Sequence, residues 1–326
     1  MTVSIKDDLQ TSELTLASSP HLHTDVTVRR IMSDVVIALL PAAAAGVYFF
    51  GIDAVFVITS AVLGAAGAEA LVARIRGRAI PLYDGSAVVT GLLLALTLPP
   101  GVPLWMPLTG GAFGIIVGKS LFGGLGLNVF NPALVGRVFL VASFPVSMTS
   151  WRWPVSSGEW MTSGFDALST ATPLDLMRLQ GVATPLGDLF VGRVAGCVGE
   201  TSALALLVGA AYLLARGVID WRIPISYIAT VMSLAGIMGF DPTFHLFAGG
   251  LILGAFYMAT DYVSGPITPK GKLVFGAGCG VMTMLIRGYG GFPEGVTYAI
   301  LLMNATVPLI ERYTFPRIFG LKKMEV

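Results

Sequence analysis

"IMSDVVIALLPAAAAGVYFF", residues 31–50, is a run of twenty residues with one charged side chain, Asp34, near its start. At 1.5 Å per residue an α-helix of that length reaches about 30 Å, the thickness of a hydrocarbon core. Arg29 and Arg30 stand just before it, and a second apolar run follows directly after Gly51. The chain as a whole is 55% hydrophobic and 12% charged, where a soluble domain carries about 25% charged residues. The run therefore reads as a membrane span and not as the core helix of a soluble domain.

Working outward, ten such runs can be drawn: 31–50, 52–73, 80–98, 104–121, 132–144, 192–215, 223–239, 243–262, 273–288 and 296–310. The expected fold is an all-α polytopic membrane protein of about ten transmembrane helices with one long extracytoplasmic loop. The fifth run is short, as expected of a tilted, broken or re-entrant helix whose free backbone groups other protein must cover; leaving it out gives nine spans. Ten spans also divide into two five-helix halves. The only internal likeness is between "TLPPGVPLWMPLTGGAFGIIVG" and "MGFDPTFHLFAGGLILGAFYMA", each with a proline turn followed by a Gly-Gly span.

Lysine and arginine set the orientation. With the N-terminus inside, fifteen basic residues fall in cytoplasmic segments and four (Arg152, Arg178, Arg193 and Arg287) in outer ones, with Arg137 inside the fifth span. The expected layout is a cytoplasmic arm 1–30, helices one to five over 31–144, an extracytoplasmic loop 145–191, helices six to ten over 192–311, and a cytoplasmic tail 312–326. Residues 1–30 contain no apolar run of signal length.

Several function classes drop out. A net charge of +1, with the basic residues placed between spans, gives no footprint for nucleic acid. Cys197 and Cys279 both lie in apolar runs, far apart, so they are expected to be buried thiols and neither a disulfide nor a metal site. His21 and His23 in "SPHLH" lack a third ligand nearby, and no metal site is expected there.

Asp34, Glu69, Arg137, Glu200 and Asp261 lie in or near spans, where each charge is costly unless paired or used. Glu69 and Glu200 are the candidates for ion coupling; the plainer reading is that each has a partner. "GKSLFGGLGLNVFNPALVGR", residues 118–137, lacks Walker spacing, so its glycines read as close helix contacts, while Asn128 and Asn131 read as helix caps or contacts for a polar ligand. "TDYVSGPITPKGK", residues 260–272, reads as an ordinary loop after a helix end, with the alternative that Asp261 and Lys270 hold a ligand's polar groups near the inner surface.

The outer loop holds "DALSTATPLD", residues 166–175, a polar knot in an apolar chain. Thr172 reads as a helix N-cap, with Pro173 at the first helical position and Asp175 in the first turn. That reading leaves Asp166, Ser169, Thr170 and Ala171 without a role. Asp166 to Thr172 resembles the flavinylation sequence Asp-x-x-(Ser/Thr)-Gly-Ala-Thr, in which a flavin transferase joins FMN through a phosphoester to the last threonine. Thr170 stands where that pattern has glycine, which would restrict the turn. The chemistry asks for an exposed hydroxyl on a turn of small residues.

The resemblance covers nearly the whole chain. "SPHLHTDVTVRRIMSDVVIALLPA", "VVTGLLLALTLPP", "GKSLFGGLGLNVFNPALVGRVFL", "DYVSGPITPKGK" and "FPEGVTYAILLMNATVPLIERY" are similar to the D subunit of the Rnf (Rsx) ion-translocating electron-transport complex. They also resemble the related B subunit of the sodium-pumping NADH:quinone reductase, which has a longer N-terminal region. The resemblance implies covalent FMN on Thr172 and a second, noncovalent flavin (riboflavin or FMN) towards the cytoplasmic side. It further implies the Rnf A, B, C, E and G subunits as partners in the bacterial cytoplasmic (inner) membrane. Their joint activity would be electron relay between ferredoxin and NAD coupled to Na⁺ or H⁺ movement, with no catalytic residue of this chain implied. The alternative from composition alone is a channel or carrier for a small polar solute, and a scaffold without flavin is a third reading; neither needs the pattern at 166–172.

The charge bias makes a direct prediction. A cysteine placed at Ser163 reacts with a membrane-impermeant thiol reagent in intact cells and one at Gly77 does not; the opposite pattern inverts the topology.

Overall fold

A computed structural model of the chain describes residues 26–78, 81–154, 171–290 and 294–316. The described residues are helical, with no strand among them. In order they form α1 Val28–Phe50, α2 Ile52–Ile75, a 3-10 turn Pro81–Asp84, α3 Ser86–Leu96, α4 Trp105–Phe113, α5 Pro132–Ser143, α6 Pro145–Met148, α7 Pro173–Gln180, α8 Leu186–Val191, α9 Ala203–Ala215, α10 Arg222–Ile237, α11 Pro242–Phe247, α12 Leu251–Leu253, α13 Pro269–Tyr289 and α14 Val296–Thr314. Two of them, α1 and α2, combine the length and apolarity of a membrane span.

Four expected spans are not continuous α-helices. The third is helical only over Ser86–Leu96, because Pro99 and Pro100 follow and cannot continue the helix. In the fourth, α4 passes into a π-helix, Gly114–Ser120. The sixth begins as unwound chain over 192–202, and α9 starts at Ala203, capped by Ser202. The eighth is interrupted after α11 at 248–250 and resumes as α12 and a π-helix, Gly254–Met258. Two of these breaks satisfy one another. Val198 N donates to Leu98 O (3.0 Å) and Gly199 N to Leu96 O (2.8 Å), so the free backbone groups left by unwinding find partners within the protein.

The fifth helix, twelve residues long, is as short as expected. The two stretches alike in sequence are also alike in shape, since each runs from a glycine pair, Gly110-Gly111 or Gly249-Gly250, into a π-helix. The halves are not separate units, however, because buried residues from both make one continuous core.

Ion pairs group by helix end. Asp34 near the start of α1 meets Arg216 after α9, while Asp53 just beyond the end of α1 meets Arg152. Sixteen helical steps separate Asp34 from the end of α1 at Phe50, about 24 Å along the helix. Lys119, counted above as a cytoplasmic loop charge, is instead buried and paired with Glu69.

Helices approach through glycine. α10 lies on α13, α2 on α4 and α3, α13 on α14, and α1 on α9. A Cβ on Gly209 would stand 1.9 Å from Ala38 O and 2.3 Å from the Tyr257 hydroxyl, whereas one on Gly67 would meet nothing within 4 Å. Gly209→Ala is therefore expected to push α9 off α1 and lower stability by about 1–3 kcal/mol, read as a lower thermal midpoint in detergent, with Gly67→Ala unchanged. Equal midpoints for the two variants would contradict this packing.

Candidate functional site

Two polar clusters are held among apolar helices. The first is built on Arg137, which the short α5 carries into the interior. Its Nη1 donates to Glu200 Oε1 (2.9 Å) and its Nη2 to Glu294 Oε2. Glu200 comes from the unwound chain ahead of α9 and Glu294 from the turn before α14. Cys197 Sγ lies 3.8 Å from Arg137 Nη2 and 4.0 Å from Glu294 Oε1. Removal from solvent raises the Glu294 carboxyl above the ordinary glutamate range, against the pull of Arg137.

Arg287, read above as an outer loop charge, is also buried. It donates to His245 O (2.7 Å) and Ala248 O (2.9 Å) at the end of α11, and to Glu294 O (3.4 Å). This fixes the break in the eighth expected span. Gly249 has φ +68, a conformation that favours glycine. A Cβ on Gly250 would stand 2.4 Å from Glu200 Oε1, so the glycine pair lets the backbone close over the carboxylate.

Thr172 sits on this cluster. It caps α7 as expected, accepting from Asp175 N (3.2 Å) and donating to Asp175 Oδ2 (2.7 Å), with Pro173 in the first turn. The expectation of an exposed acceptor hydroxyl is not met: Thr172 is 6% exposed. The reason is the next residue but one, Leu174, which packs with Leu189, Val194, Phe244 and Ala248 and draws the cap inward. A cavity of about 20 Å³ lies beside it, lined in part by Thr172, Glu200, Thr201, Gly249 and Glu294. Ala171 is half-buried; Asp166, Ser169 and Thr170 lie outside the described residues, as do His21 and His23.

The second cluster surrounds Lys119, placed on the π-helix Gly114–Ser120. Its ammonium donates to Glu69 and to Ser86 Oγ (2.5 Å), and Ser86 is held by Asp84 (2.6 Å). Beside it a cavity of about 110 Å³ opens between α1, α3 and the 259–263 turn, lined by Asn128, Asn131, Thr90, Tyr257 and Asp261 among others. Asn131 has the capping reading made for it: its Oδ1 caps α5 at Ala133 N (3.0 Å), while its Nδ2 donates to the backbone at Met258 O (3.3 Å). Asp261 lines the cavity and accepts from Ser264 Oγ (2.7 Å). Lys270 does not join it; it is exposed on the first turn of α13.

The ionisable residues singled out from sequence are therefore paired: Asp34 with Tyr212 and Arg216, Glu69 with Lys119, and Glu200 with Arg137. Both cysteines are fully buried. Sequence reasoning counts Arg287 and Lys119 only as topological charges and does not single out Glu294, because each borders a glycine-containing turn. Thr201 gave no signal at all.

Removing one member of a buried pair leaves a bare charge, at a cost of about 3–5 kcal/mol. Lys119→Met is expected to lower the thermal midpoint strongly, and the double variant Lys119→Met/Glu69→Met to recover most of the loss. A double variant no better than the single would show that the pair is not what makes Lys119 necessary.

Residues 15–320 match the model of the NQR2, RnfD, RnfE family. Among curated relatives, the chain is 46% identical over 317 residues to the D subunit of the Na(+)-translocating ferredoxin:NAD(+) oxidoreductase complex of Acetobacterium woodii, covering 96% of this chain and 97% of that one. It is 44% identical over 326 residues to the D subunit of the proton-translocating ferredoxin:NAD(+) oxidoreductase complex of Clostridium ljungdahlii (95% and 97%). With the D subunit of the ion-translocating oxidoreductase complex of Cronobacter sakazakii it shares 41% over 345 residues (94% and 98%). The helical fold, the two buried polar clusters and these full-length matches together make the chain a member of the NQR2, RnfD, RnfE family.

Proposed function

We propose that this chain is the flavin-carrying membrane subunit of an Rnf-type complex, relaying electrons across the bacterial inner membrane between ferredoxin and NAD in step with Na⁺ or H⁺ movement. In this reading it has ten spans, both termini are cytoplasmic, and Thr172 bears FMN on the outer side after the action of a flavin transferase. The Rnf A, B, C, E and G subunits complete the complex. The observation that carries the reading is Thr172 itself, a capping hydroxyl at the end of the sequence 166–172. It stands above a buried ion network, in a chain whose relatives are named as the D subunits of ion-translocating oxidoreductases.

At the point of attachment the backbone of the α7 cap suits a phosphoester, while the burial of Thr172 requires the cap to open before a transferase reaches its hydroxyl. An ester oxygen on Thr172 keeps its lone pairs for Asp175 N, and the N-terminus of the eight-residue α7 favours a phosphate. Asp175 Oδ2 loses the hydroxyl proton it now accepts. The cavity beside Thr172, about 20 Å³, has room for a water-sized species and would not hold a flavin ring.

The inner cavity is the proposed place for the noncovalent flavin. Asn128, Asn131 and Lys119 offer donors and Tyr257 an aromatic wall. Its volume of about 110 Å³ is below the roughly 150 Å³ that takes one benzene ring. A tricyclic ring therefore has to protrude from it or displace the loop walls. Bound flavin supplies one- and two-electron redox chemistry at both ends of the molecule. The chain's own part is to hold the groups apart across its width and to keep water from the charges between them. Each charge moved against about 100 mV costs about 2.3 kcal/mol, which sets the scale that the redox step has to meet.

Thr172→Ala is expected to abolish ultraviolet fluorescence of this subunit on a denaturing gel while leaving it in the membrane. Fluorescence retained in Thr172→Ala but lost in Thr170→Ala would move the attachment by two residues. Absence of fluorescence in the unaltered chain would favour the channel or scaffold readings.

A further inference from the structure

The small cavity under Thr172 has mainly apolar walls, in which Thr172, Glu200, Thr201 and Glu294 are the polar side chains. Thr201 is 3% exposed, and its Oγ1 has no hydrogen-bond partner among the described residues. A buried hydroxyl left unpaired costs about 1–3 kcal/mol, so something that offers it a partner would stabilise the fold. Ligand atoms of Cys197, Glu200 and Glu294 lie within 4.8 Å of one another, and the volume of about 20 Å³ admits one water-sized species.

Charge narrows the choice. Arg137 pairs with both glutamates, and Arg287 and Asp175 act on Glu294 through space. With Glu294 ionised, these two positive charges face three negative ones, a formal excess that one monovalent cation, or a proton on Glu294, neutralises. A divalent ion would overshoot, and zinc would need a thiolate from Cys197, adding yet another charge to be compensated. Oxygen donors of this kind suit a hard cation.

We infer that Glu200, Glu294 and the Thr201 hydroxyl form a binding site for one hard monovalent cation, of the size and charge of Na⁺, directly beneath the Thr172 attachment point. The site deepens the proposed translocation role and rests on it for its purpose, but its chemistry needs no flavin. Gly250 makes the site possible by leaving room for the Glu200 carboxylate, and Arg137 holds the two glutamates together.

The test uses the assembled complex, purified in detergent, with this subunit tagged and its thermal loss from solution followed by immunoblot. Midpoints are compared in NaCl and in choline chloride at equal ionic strength. A ligand of the folded state raises the midpoint saturably with its concentration. The expected result is a saturable Na⁺ response in the unaltered chain, in Thr172→Ala and in Thr201→Ser, and an apparent Na⁺ affinity weakened about tenfold or more in Thr201→Val. Persistence of the response in Thr172→Ala separates the site from the flavin reading. Two outcomes overturn the inference: an equal Na⁺ response in Thr201→Val and the unaltered chain places the cation elsewhere, and no response in any variant means that the cavity holds water or a proton only.

Discussion

Arg137 takes two carboxylates at once, and they come from parts of the chain far apart in sequence: Glu200 from unwound backbone and Glu294 from the turn before α14. A guanidinium carried this deep has to be paired, and a carboxylate beside it has to be paired in turn. The pairing therefore ties α5, the segment 192–202 and the α13–α14 turn into one object. Arg287 adds α11 by filling the carbonyls that its last turn leaves free. The breaks in the third, sixth and eighth expected spans then read as the means by which backbone reaches this network. Pro99 and Pro100 stop one helix, the glycines at 249 and 250 open another, and Val198 and Gly199 bond back to the carbonyls thus released.

The same arrangement explains where Thr172 lies. Leu174 packs into an apolar niche between α8 and α11, and the niche exists because Arg287 holds the end of α11 in place. The capping box of Thr172 and Asp175 turns the hydroxyl towards its own helix and the carboxylates below. Lys119 does for Glu69 what Arg137 does for Glu200, and its place on a π-helix sets it beside the larger cavity. Both clusters thus combine a buried ion pair with an irregular segment, and both adjoin a cavity.

Much of this was legible in the sequence. The length and apolarity of the first runs, the short fifth helix, the capping roles of Thr172 and Asn131 and the close-packing glycines follow from local rules and appear as expected. What could not be read is who pairs with whom. Glu200 and Arg137 were visible as costly charges, but their partnership spans 63 positions, and no periodicity encodes it. Glu294, flanked by Pro293 and Gly295, looked like a turn residue outside any span. The burial of Thr172 depends on Leu174 finding α8 and α11, again a long-range matter. Helix continuity was misjudged where glycine-rich apolar runs pass the hydropathy rule yet unwind or widen, as at 192–202 and 114–120.

The proposed redox role turns on a single atom, the Thr172 oxygen. Peptide mass spectrometry of the protein isolated from native membranes tests it most directly, with fragment ions that separate Thr170 from Thr172. The predicted result is a mass increase of one FMN less one water, carried by fragments that contain Thr172 and absent from those that end at Ala171. An unmodified peptide across residues 166–178, or the added mass on Thr170, would contradict it.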